Sequence, residues 1–486
     1  MADSIVLYNS WSKKKEVFKP MKPGVVRIYN CGPTVYKRPH LGNLRRFLFA
    51  DILRRTLETH GYQVQEITNI TDVGHLTQEG LETGEDKLEK EARQQQVTVQ
   101  EIADRETAHF KDDGKALHIQ AADQYPRATE HIEEMIELIQ TLVEKGYAYV
   151  TNVGVFFAVD KFKDYGQLSG NTLDNLAEGS RLKVRKEKKR GADFALWLTD
   201  DPNHLQQWDS PWGRGYPGWH IECSAMSLKY LGSHIDIHTG GEDNKFPHHE
   251  NEIAQSEAAT GQKFVNFWMH NAHLQIGGAK LAKSGGEQIT LDTVREHGYS
   301  PLVFRWLVLS SHYRSKIDFS WARMREMQLS LDNIKILLRR LLTNGTAELG
   351  KGEAESEIVK RFNDALADDL NTPSGLAVLQ KYIGEVNRDW AENAKAKNGS
   401  AHLNQVYATL MAMDRVLGVM EGLQEEIKQA VIPENVIKLG EAREQARRNK
   451  DFVTADRLKT EIIANGFGVE DTGDGYRLIK TGNQDE

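Results

Sequence analysis

The chain has 486 residues, a formal net charge of −8, and 39% hydrophobic and 27% charged residues. At roughly 100–200 residues per domain that length gives two to four domains of ordinary soluble globular composition. Its only two cysteines, Cys31 and Cys223, exclude a disulfide framework and a cysteine-rich zinc ribbon, and fit a reducing, cytoplasmic home. No apolar run approaches the ~18 residues of a membrane span. The N-terminus MADSIVLYNSWSKKK has no signal-peptide core. An acidic whole means that a nucleic-acid partner must meet local basic patches.

The first third alternates strand and helix signals. Residues 25–29 (VVRIY) form a short β-branched run. Over 43–60, Leu44, Leu48 and Ile52 lie four apart, and Phe47, Ala50, Leu53 and Leu57 widen the stripe into one apolar helix face. Gly61 closes that helix, and 62–70 reads as the next strand. This order predicts a βαβ unit with a parallel sheet. Residues from about 75 to 200 read as an insertion, with helices over 86–117 and 127–145 and a hairpin near 148–159. The run RLKVRKEKKR at 181–190 carries seven bases and one acid. Strand and helix signals resume near Cys223, with a strand at 234–238 (HIDIH), a helix at 248–260 and a strand at 264–270. The two halves make one doubly wound sheet of α/β class.

Beyond about residue 320 the pattern is all helix. Met324, Met327, Leu331, Ile334, Leu338 and Leu341 form a packing seam. Further helices are expected near 355–370, 373–391 and 402–420, joined by TNGTAELGKGE and AENAKAKNGSA. A last module at 434–480 has two helices and a β-like end, and the tail TGNQDE is expected to be disordered. There are no internal repeats.

Two segments suit phosphate. Pro39-His40-Leu41-Gly42-Asn43 lies between the first strand and the first helix, where backbone N–H groups attract anions and Gly42 permits close approach. His40 and Asn43 can donate to phosphate oxygens. Far downstream, Lys280-Leu281-Ala282-Lys283-Ser284-Gly285-Gly286 combines two lysines, a hydroxyl and two glycines, as charge stabilisation on a triphosphate needs. Alone, the first is better read as a helix cap and the second as a solvated turn. A metal site has its own hint: His248 and Glu252 fall at i and i+4 on a predicted helix and can face one ion. The cysteine spacing adds nothing, since buried free cysteine is commoner than a ligand.

Taken together, the two phosphate segments resemble the HIGH and KMSKS signatures of class I aminoacyl-tRNA synthetases. Four longer blocks, Cys31-Gly32-Pro33-Thr34-Val35-Tyr36, Asn69-Ile70-Thr71-Asp72, Gly218-Trp219-His220-Ile221-Glu222-Cys223-Ser224 and Phe246-Pro247-His248-His249-Glu250-Asn251-Glu252, resemble the cysteinyl-tRNA synthetase family. The resemblance implies a class I Rossmann-like sheet with an insertion, an all-α bundle and a small C-terminal module. It divides the chain into a first catalytic half (1–110), a connective insertion (111–200), a second half (201–285), a loop-helix connector with the end of the KMSKS-like region (286–325), a bundle (326–425) and an anticodon-binding module (426–486).

The same resemblance implies ATP-dependent activation of L-cysteine to an adenylate and its transfer to the 3′ end of tRNA(Cys). His40, Asn43, Lys280 and Lys283 would be catalytic. His40, Gly42, Asn43, Lys283 and Ser284 would bind ATP with Mg2+. Gly32, Thr34, Trp219, His238 and Asp243 would hold the amino acid. Cys31, Cys223, His248 and Glu252 would hold one Zn2+ per subunit, and a monomer is expected. Zinc answers a real difficulty: cysteine and serine differ by one atom, and shape alone separates such pairs by only ~10–200-fold. A metal that favours thiolate removes the need for editing.

Two departures stand out. Asn43 replaces the final histidine of HIGH, and Lys-Leu-Ala-Lys-Ser replaces Lys-Met-Ser-Lys-Ser, with Ala282 losing a hydroxyl. Phe362-Asn363-Asp364-Ala365-Leu366-Ala367-Asp368-Asp369-Leu370-Asn371-Thr372-Pro373 resembles the family's bundle. Arg443, Arg447, Phe452 and Tyr476 are candidates for RNA contact, and the basic run 181–190 for the acceptor stem. Two other readings stay open: a ligase joining activated cysteine to an amino-sugar, and a degenerate protein that binds tRNA or zinc without catalysis.

Overall fold

Four parallel strands form the central sheet in the order Val265–Asn271, Ile235–Gly241, Val25–Asn30, Gln63–Thr68. The computed structural model describes residues 4–74, 76–78, 83–171, 186–276, 279–280, 288–344, 352–392, 400–429, 433–472 and 475–480. Helices cover the sheet, so Val26, Ile28 and Tyr29 are at most 1% exposed on the strand Val25–Asn30. The first crossover is the helix Leu41–Thr59, which buries Leu44, Leu48, Ile52 and Leu57 as its four-residue spacing predicts. The second is the helix His248–Thr260 between strands Ile235–Gly241 and Val265–Asn271. The chain therefore leaves the two central strands in opposite directions, and their C-terminal ends bound a switch-point crevice.

The insertion, joined by Tyr216–Pro217 of the second half, builds a four-stranded antiparallel sheet in the order Tyr216–Pro217, Phe194–Leu198, Gly154–Phe157, Ala148–Thr151. Its Phe157, Phe194 and Trp197 share one core with Cys31, Ile221, Cys223 and Trp268 of the catalytic halves. The helix expected over 86–117 is two helices, Lys87–Gln95 and Val99–Ala116. The break has a local cause: Gln96 is left-handed, and Thr98 with Glu101 forms a reciprocal capping box that starts a new helix. A hairpin of Val6–Asn9 and Lys14–Val17 lies along the bundle, too short to register as a periodic signal.

Beyond the sheet, helix Trp321–Asn344 places the expected seam in the core. Met324, Leu331, Ile334, Leu338 and Leu341 are at most 2% exposed, and Met327 packs beside them. Each such fully buried side chain stabilises the fold by roughly 1.5–3 kcal/mol. Helices Ser356–Ala367, Thr372–Glu392, Ser400–Leu417 and Met420–Gln429 complete this part. The last module packs helices Glu434–Arg448 and Phe452–Ala464 against the hairpin Phe467–Thr472/Gly475–Lys480. Most of the two polar linkers, the tail Thr481 to Glu486 and the first half of the basic run lie outside the described residues. Among those described, no helix is long and apolar enough to cross a membrane.

Candidate active site

Cys31 immediately follows the central strand Val25–Asn30, and its N–H donates to Thr239 O of the neighbouring strand. Cys223 sits in the first half of helix Trp219–Leu231. That helix leads back to the start of strand Ile235–Gly241, which puts its N-terminal turns at the strands' C-terminal ends. His248 opens the next helix there, and Glu252 follows one turn later, as i, i+4 spacing requires.

The ligand atoms of Cys31, Cys223, His248 and Glu252 all lie within 4.8 Å of one another, and all four residues are buried. Within the group, His248 Nε2 is 3.1 Å from Glu252 Oε1 and Cys31 Sγ is 3.7 Å from that oxygen. Tetrahedral zinc with sulfur at about 2.3 Å and nitrogen or oxygen at about 2.0–2.1 Å spaces its ligands by roughly 3.3–3.8 Å. The group fits such an ion with small adjustments, and its two thiols, one imidazole and one carboxylate are a zinc-like donor set. Charge points the same way. Burial raises the Cys31 thiol, and Cys223 is pushed well up by its hydrogen bond to Cys31 and then by burial. A buried cation reverses both effects.

A second set, Cys31, His238, His249 and Glu252, meets the same distance limit. The hydrogen bonds separate the two sets. His238 Nε2 holds Glu252 Oε2 at 2.9 Å, leaving Oε1 toward His248 and Cys31. His249 Nε2 lies 3.2 Å from Cys31 Sγ, and its Nδ1 bonds His270 Nε2, which passes the chain to Ser10 Oγ. Burial pushes both His249 and His270 well below the usual imidazole range. His220 Nδ1 meets His248 Nδ1 at 2.8 Å, which turns His248 Nε2 inward. These imidazoles orient the candidate ligands.

The expected amino-acid pocket surrounds this group. Gly32 donates its N–H to Asn69 Oδ1 at 2.7 Å, and a Cβ there would sit 1.4 Å from Asn69 O, so only glycine fits. Thr34 bridges Thr71 of the neighbouring segment and is partly exposed. Trp219 is partly exposed and stacks on His248 with ring centroids 4.2 Å apart. Asp243 is exposed in the turn Glu242–Lys245, within the field of Arg46. His238 is fully buried behind Glu252, stacked on Trp268. Arg46 was not singled out from the sequence; it donates to Gly32 O at 2.9 Å, and its charge lowers the Cys31 thiol against the effect of burial.

The first phosphate segment is a cap and more. His40 Nδ1 accepts from Asn43 N–H, and the Asn43 side chain returns a bond to His40 N–H. That fixes the tautomer and leaves the proton on His40 Nε2. A Cβ on Gly42 would come within 2.9 Å of His40 Cε1, so the glycine lets the ring fold over the helix start. Ala279–Lys280 pairs with Leu274–Ile276, and past the following segment Thr290 bridges His40 while Leu41 N–H donates to Ile289 O. The C-terminal side of the lysine segment thus meets the helix start, and its first residue is held on the strand Leu274–Ile276. Lys283 and Ser284 lie outside the described residues.

In the last module Arg443 departs from the expectation of RNA contact. It shares the inward stripe of helix Glu434–Arg448 with Val436, Gly440 and Ala446, and is 3% exposed. Tyr476 packs over Gly440, whereas Phe452 is 61% exposed.

The sequence matches two families, described as tRNA synthetases class I (C) catalytic domain over residues 17–329 and DALR domain over residues 361–421. It is 41% identical to the cysteine–tRNA ligase of Chlorobaculum tepidum, over 98% of this chain and 99% of that one. It is 41% identical to a cysteine–tRNA ligase of Thermus thermophilus, over 97% and 98%. A Mycobacterium tuberculosis methionyl-tRNA synthetase solved with methionyl-adenylate shares the fold, at 15% identity and a TM-score of 0.58 over 89% of this chain and 96% of that one.

Proposed function

The chain belongs to the cysteine–tRNA ligase family of class I aminoacyl-tRNA synthetases, and from that premise we propose how its residues divide the work. Its reaction is the ATP-dependent joining of cysteine to tRNA. The observation that carries the site assignment is the convergence of Cys31, Cys223, His248 and Glu252 at the switch point, from both halves of the sheet. These four would hold Zn2+, which when bound favours a substrate thiolate over the hydroxyl of serine. His220, His238 and His249 orient His248, Glu252 and Cys31. Trp219 and Thr34 flank the amino acid, Gly32 allows its close approach, and Asp243 takes the α-ammonium.

The cysteine carboxylate attacks the α-phosphate of ATP in line and expels pyrophosphate. No protein nucleophile is needed, so positioning and charge stabilisation carry the rate. His40 Nε2–H and Asn43 sit at a helix start and donate to phosphate oxygens. Lys280 and Lys283, with Ser284, neutralise the growing charge, with Mg2+ on the phosphates. Gly42 keeps the His40 ring in place. The terminal ribose of tRNA(Cys) then takes the cysteinyl group. The module at 434–480 supports a tRNA acceptor, with exposed Phe452 as the candidate for stacking on a base and half-buried Arg447 on the helix before it. The enzyme would work as a monomer in the cytoplasm, where its two thiols stay reduced.

Cysteine-dependent ATP–pyrophosphate exchange followed by charging of tRNA(Cys) tests this reading. Exchange and charging are both expected. Exchange with transfer only to an amino-sugar overturns the acceptor, and no exchange in zinc-loaded protein overturns the site.

A further inference from the structure

Arg45 is 1% exposed, and its guanidinium spends its donors on backbone carbonyls from two separate segments. Nη1 donates to His273 O at 2.6 Å, while Nη2 donates to Ser315 O and, at 3.3 Å, to Tyr313 O. The same carbonyls tie those segments together: Ile317 N–H donates to His273 O and Ala272 N–H to Tyr313 O. His273 directly precedes strand Leu274–Ile276, whose partner strand ends at Lys280. Arg45 itself stands on the first turns of the helix that His40 caps. One side chain therefore clamps the root of the lysine segment to the helix carrying the other phosphate donors.

The turn that Arg45 grips is held from behind by Asp369, just past helix Ser356–Ala367 of the bundle. Its fully buried carboxylate accepts from Tyr313 Oη at 2.7 Å, from Arg314 Nη2 at 2.6 Å and from Tyr8 N–H at 2.8 Å. Asp369 and Leu370 both have positive φ, +61° and +53°. Two consecutive non-glycine residues in the left-handed region are costly and persist only where the surroundings over-determine them. A strained backbone and a carboxylate with three donors thus stand behind the turn whose carbonyls Arg45 holds.

We propose that Arg45 is a positioning residue for ATP activation, holding strand Leu274–Ile276, with which Ala279–Lys280 pairs, against the helix that His40 caps, and that Asp369 of the bundle sets the turn against which it holds. This rests on the reading that Lys280 and Lys283 act on ATP. Arg is required because three carbonyls in different directions need a planar fork, which the lysine ammonium cannot reproduce. Misplacement by about 1 Å far from the reacting atoms can cost on the order of 100-fold.

The test is Arg45→Lys in the zinc-loaded enzyme, read by cysteine-dependent ATP–pyrophosphate exchange. The expected result is a fall of about 10–100-fold in kcat/KM for ATP, with KM for cysteine and zinc per chain unchanged, read at a temperature where the variant is fully folded. Asp369→Asn should show the same ATP-selective loss, and the double variant should lose no more than the worse single one, as members of one network do. Equal losses for ATP and cysteine would make Arg45 a structural residue only and overturn the proposal, as would unchanged ATP kinetics. Lys283→Ala separates the two levels. If it leaves exchange intact, the underlying reading of the lysine segment fails; if it impairs exchange while Arg45→Lys does not, the positioning role alone fails.

Discussion

Glu252 divides its carboxylate between two histidines: Oε1 lies 3.1 Å from His248 Nε2, and Oε2 lies 2.9 Å from His238 Nε2. The division gives the two rings different jobs. His248 shares the Oε1 side with Cys31, whereas His238 grips the far oxygen and fixes the carboxylate's orientation. His238→Ala should keep the four candidate ligands but lower zinc affinity about 10–100-fold, the usual cost of removing an orienting partner. Competition with a chromophoric chelator measures this directly. Unchanged affinity would count against an orienting role.

Cys223→Ser tests the ligand set itself. A serine hydroxyl fills the same space, so the fold should survive, but it does not replace a thiolate toward zinc at neutral pH. Zinc per chain should fall well below one by elemental analysis, and cysteine-dependent exchange should be lost with it. Full zinc occupancy in the folded variant would remove Cys223 from the ligand set.

Gly42→Ala probes the helix start. The added Cβ would lie 2.9 Å from His40 Cε1, so the ring must shift and its bond to Asn43 N–H is strained or lost. Loss of the cap costs about 1 kcal/mol, and displaced phosphate donors should lower the exchange rate about 100-fold. A shifted melting temperature with normal exchange would show that His40 is a cap and nothing more.

Much of the fold was legible because its periodicities are local. Leu44, Leu48 and Ile52 mark one helix face, and His248 with Glu252 marks one helix turn; both need only 3.6-residue geometry. The convergence of Cys31 with Cys223 is different in kind. It depends on strands Val25–Asn30 and Ile235–Gly241 becoming neighbours across the insertion, which spacing does not encode and only the family resemblance supplied. The pairing of His249 with His270 was missed for the same reason, because it needs the register that sets Gly240 opposite His270. Arg443 misled in the opposite way: its charge suggested a surface, whereas its phase on the helix, with Val436 and Ala446, pointed inward.

Glu66 gives the protein a pH dependence of its own, on a carboxylate that accepts from Asn30 Nδ2, the residue before Cys31. It is buried on strand Gln63–Thr68, and burial pushes its carboxyl up to about 7 despite the ion pair with Arg54 at 3.1 Å. A folded value above the unfolded one means that the native state binds the proton more tightly. The protonated form therefore adds stability that is fully present below about pH 4.5 and lost as pH rises through about 7. The shift corresponds to about 3 kcal/mol. Glu66→Gln keeps the shape and cannot ionise, although its amide N–H must face a donor, Asn30 Nδ2 or Arg54 Nη1, and Arg54 retains Glu58 and Asp123 as partners. Urea unfolding of both proteins between pH 5 and 8 checks the sign. The wild type should lose ground relative to Glu66→Gln as pH rises across that interval. A constant difference between the two proteins over the whole range would mean that Glu66 is already ionised in the native state at pH 5, and that Arg54 outweighs burial.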